Sequence, residues 1–133
     1  MARVTNFGDY QAYTDRLFRR EEKYRKQNIV EHMNEMKVEY NNLIAEMKEI
    51  FADPIHKNEI EAKKILGVML MDLSIVASNL NIYLGDIAHD QLCYLHRANP
   101  KIFGAKIDAG FNFNKTSAET KDQKYKQKKN KNK

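Results

Sequence analysis

Glu46 and Glu49 in LIAEMKEIF (43–51) stand three residues apart, and Asp72 in GVMLMDLSIV (67–76) stands three after Met69. Residues three apart share a face of an α-helix. Two such pairs on facing helices can gather four carboxylates around Mg²⁺, a hard cation that takes oxygen ligands. Here three of the four positions are carboxylates, while Met69 offers a thioether, a poor ligand for Mg²⁺. The spacing therefore predicts a metal site of Glu46, Glu49 and Asp72 that lacks one oxygen donor. That shortage argues against efficient catalysis.

The elements that must carry these residues are helical. Glycine and proline are scarce, with five and two in 133 residues. Apolar positions recur with a helical period and no useful strand alternation or internal repeat is seen. The pattern predicts four helices, over about 7–27, 29–52, 58–80 and 85–98, the second ending before Pro54 and the fourth before Pro100. On the second, Met33, Met36, Tyr40, Leu43, Ile44 and Met47 make an apolar face. Glu31, Glu35, Glu39, Glu46 and Glu49 line its flank, as on many amphipathic helices with a solvated charged edge. The third is apolar on two sides: Leu66, Met69, Leu70, Leu73, Ala77 and Leu80 on one, Val68, Met71 and Ile75 on the other. A helix apolar on both sides is buried on both, which predicts self-association through Val68, Met71 and Ile75. Asp72 and Asn79 lie between the two faces. A carboxylate so embedded needs either a hydrogen-bonding partner or a metal.

Hydrophobic residues make up 42% of the chain and charged residues 31%, a balance that supports a single globular domain with a modest core. The domain is expected over 1–114, followed by a disordered tail over 115–133. That tail holds eight lysines against Glu119 and Asp122, a net of +6, so the first 114 residues carry −1 of the total +5. Lys126, Lys128, Lys129 and Lys131 are its candidates for contacting nucleic acid or an acidic protein, against the plain alternative of a solubilising terminus. The N-terminal MARVTNFGDYQAY lacks the apolar stretch of a secretory leader. The apolar run from Ile65 to Ala77 is shorter than a membrane span. With its single cysteine, Cys93, the chain is expected in a reducing cytoplasm and away from membranes.

His89, Cys93 and His96 share one face of the fourth helix, but a structural zinc site needs four ligands, and ordinary packing is the better reading. His32 and His56 stand isolated. No phosphate-loop, dinucleotide-loop, H-E-x-x-H or C-x-x-C motif occurs.

In order along the chain, NFGDYQAYTDRLFR (6–19), LIAEMKEIF, MLMDLSIVASNLNIYLGD (69–86) and DIAHDQLCYLHRANPKIFG (86–104) resemble the successive helices of the MazG-like family. The likeness covers about residues 6–104. Those proteins are all-α nucleoside triphosphate pyrophosphohydrolases. The resemblance implies a four-helix MazG-like bundle that assembles as dimers or tetramers. It also implies Mg²⁺-dependent cleavage of a nucleotide to its monophosphate and pyrophosphate. Glu46, Glu49 and Asp72 match the family's metal-binding carboxylates, whereas Met69 departs from them. The nucleotide-facing positions fall at Asn79, Gln91 and Tyr94; near the last two the family's last helix carries an Asn and a Lys. Loss of that Lys removes a cation that would meet phosphate.

Two functions follow as expectations. One is a pyrophosphohydrolase relative with weak or lost activity. The other is a non-enzymatic helical interaction module whose tail contacts nucleic acid or an acidic partner. On the second, affinity for DNA or RNA resides in the lysines beyond residue 114 and falls with salt, with a log–log slope no steeper than about −5 to −7. Filter binding across a salt series checks this, and binding that survives removal of the tail contradicts it.

Overall fold

The computed structural model describes residue 4 and residues 6–52, 57–101 and 113–120. All regular structure among them is helical, with no strand. The helices are α1 (Phe7–Phe18), α2 (Arg25–Ala52), α3 (Lys57–Asn79) and α4 (Leu84–Ala98), with a 3-10 turn at Glu22–Tyr24 before α2. They fall into two compact units, Met1–Tyr83 and Leu84–Lys133. The division thus comes between α3 and α4, not at the 114/115 boundary expected from charge. No single helix among the described residues is long and apolar enough to cross a membrane.

Helix α1 begins at a reciprocal cap: the Asn6 side chain accepts from Asp9 N–H at 2.8 Å and donates to the Asp9 carboxylate at 3.0 Å. Such a cap satisfies amide groups that the first turn leaves without partners. The helix stops at Phe18, nine residues before the expected Gln27, because Arg19 turns to an extended conformation (φ −64°, ψ 131°). The segment from Arg19 to Lys23 has no apolar residue to continue a buried stripe, so nothing holds it against the bundle as helix. An Arg20–Glu31 ion pair at 2.7 Å ties the turn back to α2.

Helices α2 and α3 run antiparallel. The Arg25 guanidinium donates to the Asn79 carbonyl, His32 meets Asp72, and Met36 and Tyr40 line a groove with Met69. As the α2 number rises the α3 number falls. Helix α1 lies against another side of α3 through polar contacts. Thr14 and Ser74 share a buried hydroxyl hydrogen bond of 2.6 Å, and the Gln11 amide donates to Ser78 Oγ at 3.2 Å and to the Ile82 carbonyl at 2.8 Å. Helix α3 ends where Asn81 takes a left-handed conformation (φ 58°) and Ile82 N–H returns to the Ala77 carbonyl at 2.9 Å. Such a C-terminal cap suits Asn better than most side chains.

The burial of α3 departs from expectation in part: Ala77, grouped with the leucines, is buried, and Val68 and Met71, grouped with Ile75, are half-buried. Ile75, assigned to the outer contact, is 2% exposed, while Leu66, Leu70 and Leu73 are 51%, 37% and 39% exposed. Asp72 draws its own face toward His32 on α2, and by helical spacing Ile65 and Ile75 lie on that same side. The leucine stripe is left outside, and α2 likewise exposes Met33, Tyr40, Ile44 and Met47.

In the second unit, α4 is packed by residues 113–120. Ser117 donates from its backbone and its hydroxyl to Asp90, both at 2.7 Å. Arg97 pairs with Glu119 at 3.0 Å, and Cys93 is fully buried. Residues 115–120, assigned from sequence to a disordered tail, thus belong to the packed unit. Lys126, Lys128, Lys129 and Lys131 lie outside the described residues. Removing residues 121–133 should leave thermal stability unchanged. Removing everything after Asn114 should lower it by about 1–2 kcal/mol, because Asp90 loses both donors and Cys93 is uncovered. Calorimetry on the two truncations checks this.

Candidate metal centre at the α2–α3 interface

Asp72 has no exposure to solvent, the most enclosed carboxylate among the described residues. Its Oδ1 accepts from His32 Nδ1 at 2.8 Å, the His32 side chain being 10% exposed. A buried carboxylate is tolerated only when paired and hydrogen-bonded. His32 supplies one such bond. Oδ2 has no partner when Glu35 is ionised.

Glu35 stands one turn after His32 on the same side of α2. Ligand atoms of His32, Glu35 and Asp72 all lie within 4.8 Å of one another. A hydrogen bond to Asp72, together with desolvation and the Asp72 charge, raises the Glu35 pKa above its usual 4.5. That bond exists only while a proton sits between the two carboxyls. When both are ionised they repel and Oδ2 is stranded. Glu35 itself is exposed, so the cluster is closed at Asp72 and open to solvent at Glu35.

Three neighbours complete the surroundings. Tyr10 of α1 has its pKa raised by burial first and then by the Asp72 charge. The Phe18 ring stands edge-on to His32 with centroids 5.9 Å apart. Asn28 lies one turn before His32 on α2. It is 1% exposed, and neither its amide nitrogen nor its oxygen has a partner.

The structure does not bring Glu46 and Glu49 to Asp72. Asp72 is held at the level of His32, and Glu46 and Glu49 lie 14 and 17 residues further along α2, about 21 and 25 Å at the helical rise. Glu46 is half-buried and Glu49 exposed. Asn79 is engaged structurally, donating to the Ile75 carbonyl at 2.8 Å and offering its own carbonyl to Arg25. Gln91 and Tyr94 are exposed residues of α4, in the second unit. Met69 is half-buried in the groove of about 310 Å³ lined by Met33, Met36, Lys37 and Tyr40. Sequence reasoning missed His32 and Glu35. Their signal was the H-x-x-E spacing on α2, a counterpart to M-x-x-D on α3.

The other ligand-like cluster, His89, Asp90 and Cys93, is already committed. His89 Nε2 and Cys93 Sγ both contact the Lys115 carbonyl, at 2.9 and 3.4 Å, and Asp90 holds Ser117 with both oxygens. Compared with protein-family models, with curated proteins and with solved structures, the chain matches none.

Opposite effects on stability are expected from the two carboxylates. Asp72→Ala should cost about 2 kcal/mol by leaving buried His32 without its acceptor. Glu35→Gln should stabilise the metal-free protein, by no more than about 1 kcal/mol because Glu35 is exposed. Chemical denaturation at neutral pH in the presence of a chelator measures both.

Proposed function

We propose that the chain is a divalent-metal-dependent relative of the MazG-like nucleoside triphosphate pyrophosphohydrolases, with the metal position at His32, Glu35 and Asp72. The observation that carries this reading is the facing of H-x-x-E on α2 and M-x-x-D on α3 across an antiparallel pair. The donor set fits a divalent ion, because a buried carboxylate oxygen without a partner faces a second carboxylate and an imidazole. A bound cation would supply charge neutralisation at the phosphates and a more acidic water. Asp72, fixed by His32, serves as an oriented oxygen donor. Glu35, at the open edge, can bind the ion or accept a proton from water. Turnover is low in this reading. Met69 supplies no oxygen, and the phosphate-facing cation of the resembled family has no counterpart at Gln91 or Tyr94.

Self-association belongs to the same proposal. Leu66, Leu70 and Leu73 with Met33, Tyr40 and Ile44 form exposed apolar faces on both helices of the hairpin. A second copy offering the same surface would bury both sets in an isologous contact. Leu70→Lys should then shift sedimentation toward the monomer while helix content is kept.

The direct test is incubation with each nucleoside triphosphate and a divalent cation, followed by detection of pyrophosphate. The expected rate is far below the common enzyme range of about 1–10³ per second. Met69→Glu should raise Mg²⁺ affinity and turnover together, by at least about tenfold, because an oxygen replaces a thioether one turn from Asp72. If neither protein binds or cleaves any nucleotide, the alternative stands: a non-enzymatic interaction module whose Lys-rich C-terminal segment contacts nucleic acid or an acidic protein.

A further inference from the structure

We propose that His32, Glu35 and Asp72 form a site selective for a first-row transition-metal cation of the Mn²⁺, Fe²⁺, Co²⁺ or Zn²⁺ kind over Mg²⁺, with His32 as the selecting ligand. This rests on the reading that the α2–α3 cluster holds a divalent ion, and adds which ion it takes.

Three observations lead there. First, the donor set is mixed. Imidazole nitrogen suits Zn, Fe and Ni, whereas Mg²⁺ prefers an octahedron of oxygens and holds its waters. A nitrogen in place of one oxygen therefore costs Mg²⁺ more than it costs a transition metal. The thioether of Met69, where a further oxygen would help Mg²⁺, tilts the balance the same way. Second, the span is right. Ligand atoms within 4.8 Å of one another need little closure to meet an ion with bonds of about 2.0–2.2 Å. Third, the buried polar groups are incomplete. Asp72 has no exposure and its Oδ2 has no partner while Glu35 is ionised, and Asn28, one turn from His32 and 1% exposed, has partners for neither of its side-chain atoms. Buried polar atoms are rarely left without partners. A cation at the cluster satisfies Asp72 Oδ2 and removes its repulsion with Glu35, and a water on that cation is a partner within the chemistry of Asn28. For His32 Nδ1 to take the ion, the ring carries its proton on Nε2 instead, and Asp72 exchanges the N–H bond for the metal.

The test uses the full chain stripped with a chelator and dialysed. Co²⁺ is titrated first, following visible d–d absorption, and then competed with Mn²⁺, Zn²⁺ and Mg²⁺. The expected result is one Co²⁺ per chain, displaced by Zn²⁺, displaced by Mn²⁺ only at excess, and retained against a large molar excess of Mg²⁺. His32→Gln should weaken Co²⁺ and Zn²⁺ by at least about 100-fold, more than the loss typical of an outer-shell group. Circular dichroism establishes that the variant is folded, and the competition on the unaltered chain stands whether or not it folds. Displacement of Co²⁺ by Mg²⁺ at comparable concentration overturns the selectivity. An intense thiolate-to-cobalt charge-transfer band, or absence of any binding, overturns the site, since the first puts the ion at Cys93, the single cysteine. Pyrophosphate release assayed in the same samples separates the two readings: turnover with Mg²⁺ and none with Mn²⁺ would keep the proposed function and sink this inference.

Discussion

The hydrogen bond between His32 and Asp72 is the contact around which the first unit is arranged. A carboxylate with no solvent exposure would be strongly destabilising alone. One imidazole N–H at 2.8 Å offsets part of that. Together with Arg25 on the Asn79 carbonyl, it fixes the register of α2 against α3. It also fixes the rotation of α3, since turning Asp72 toward His32 carries Ile75 inward and leaves Leu66, Leu70 and Leu73 outside.

The pair is not a complete solution for burying charge. With Glu35 ionised, Oδ2 has no partner and a second carboxylate stands close by, so the two repel each other. Replacing a whole buried pair by apolar residues of similar size often stabilises a protein, whereas removing one member destabilises it. Retaining an unsatisfied cluster beside an open edge is the pattern expected where binding, not stability, sets the residue types. The same tension runs through the α1–α3 contact, which uses Gln11, Thr14, Ser74 and Ser78 instead of apolar packing. Polar contacts specify geometry but contribute modestly to net stability. In the first unit the large apolar side chains lie mostly at the surface, which is why a partner copy completes the proposal.

Much of the fold was legible in the chain. The four helical segments, the break near Pro54 and the stop before Pro100 follow from periodicity and backbone chemistry alone. The early end of α1 was less visible, because no Gly or Pro marks it and the charged run from Arg19 to Lys23 reads as well for a solvated helix as for a turn. The site was placed wrongly for a reason that is geometric. In an antiparallel pair whose helices end at Ala52 and begin at Lys57, residues opposite each other stand at similar distances from that connection. Asp72 is about 18 residues past it, so its counterpart falls near residue 37. Glu46 and Glu49 are far too close to the connection. His32 and Glu35 lie a little beyond that estimate, further from the connection, and a lone histidine carries no motif to mark them.

By itself, then, the sequence determined helicity, the acidic stripe of α2, the embedded position of Asp72 and the concentration of positive charge beyond residue 114. These depend on neighbours a few residues apart, and local spacing reports them. Which carboxylate meets which, which face of α3 is inward, and that residues 115–120 join α4 through Asp90 and Arg97 were decided by tertiary structure. Each depends on the rotation and stagger of one helix against a partner distant in sequence. A change of about 100° in helix rotation exchanges core for surface without altering a single local preference.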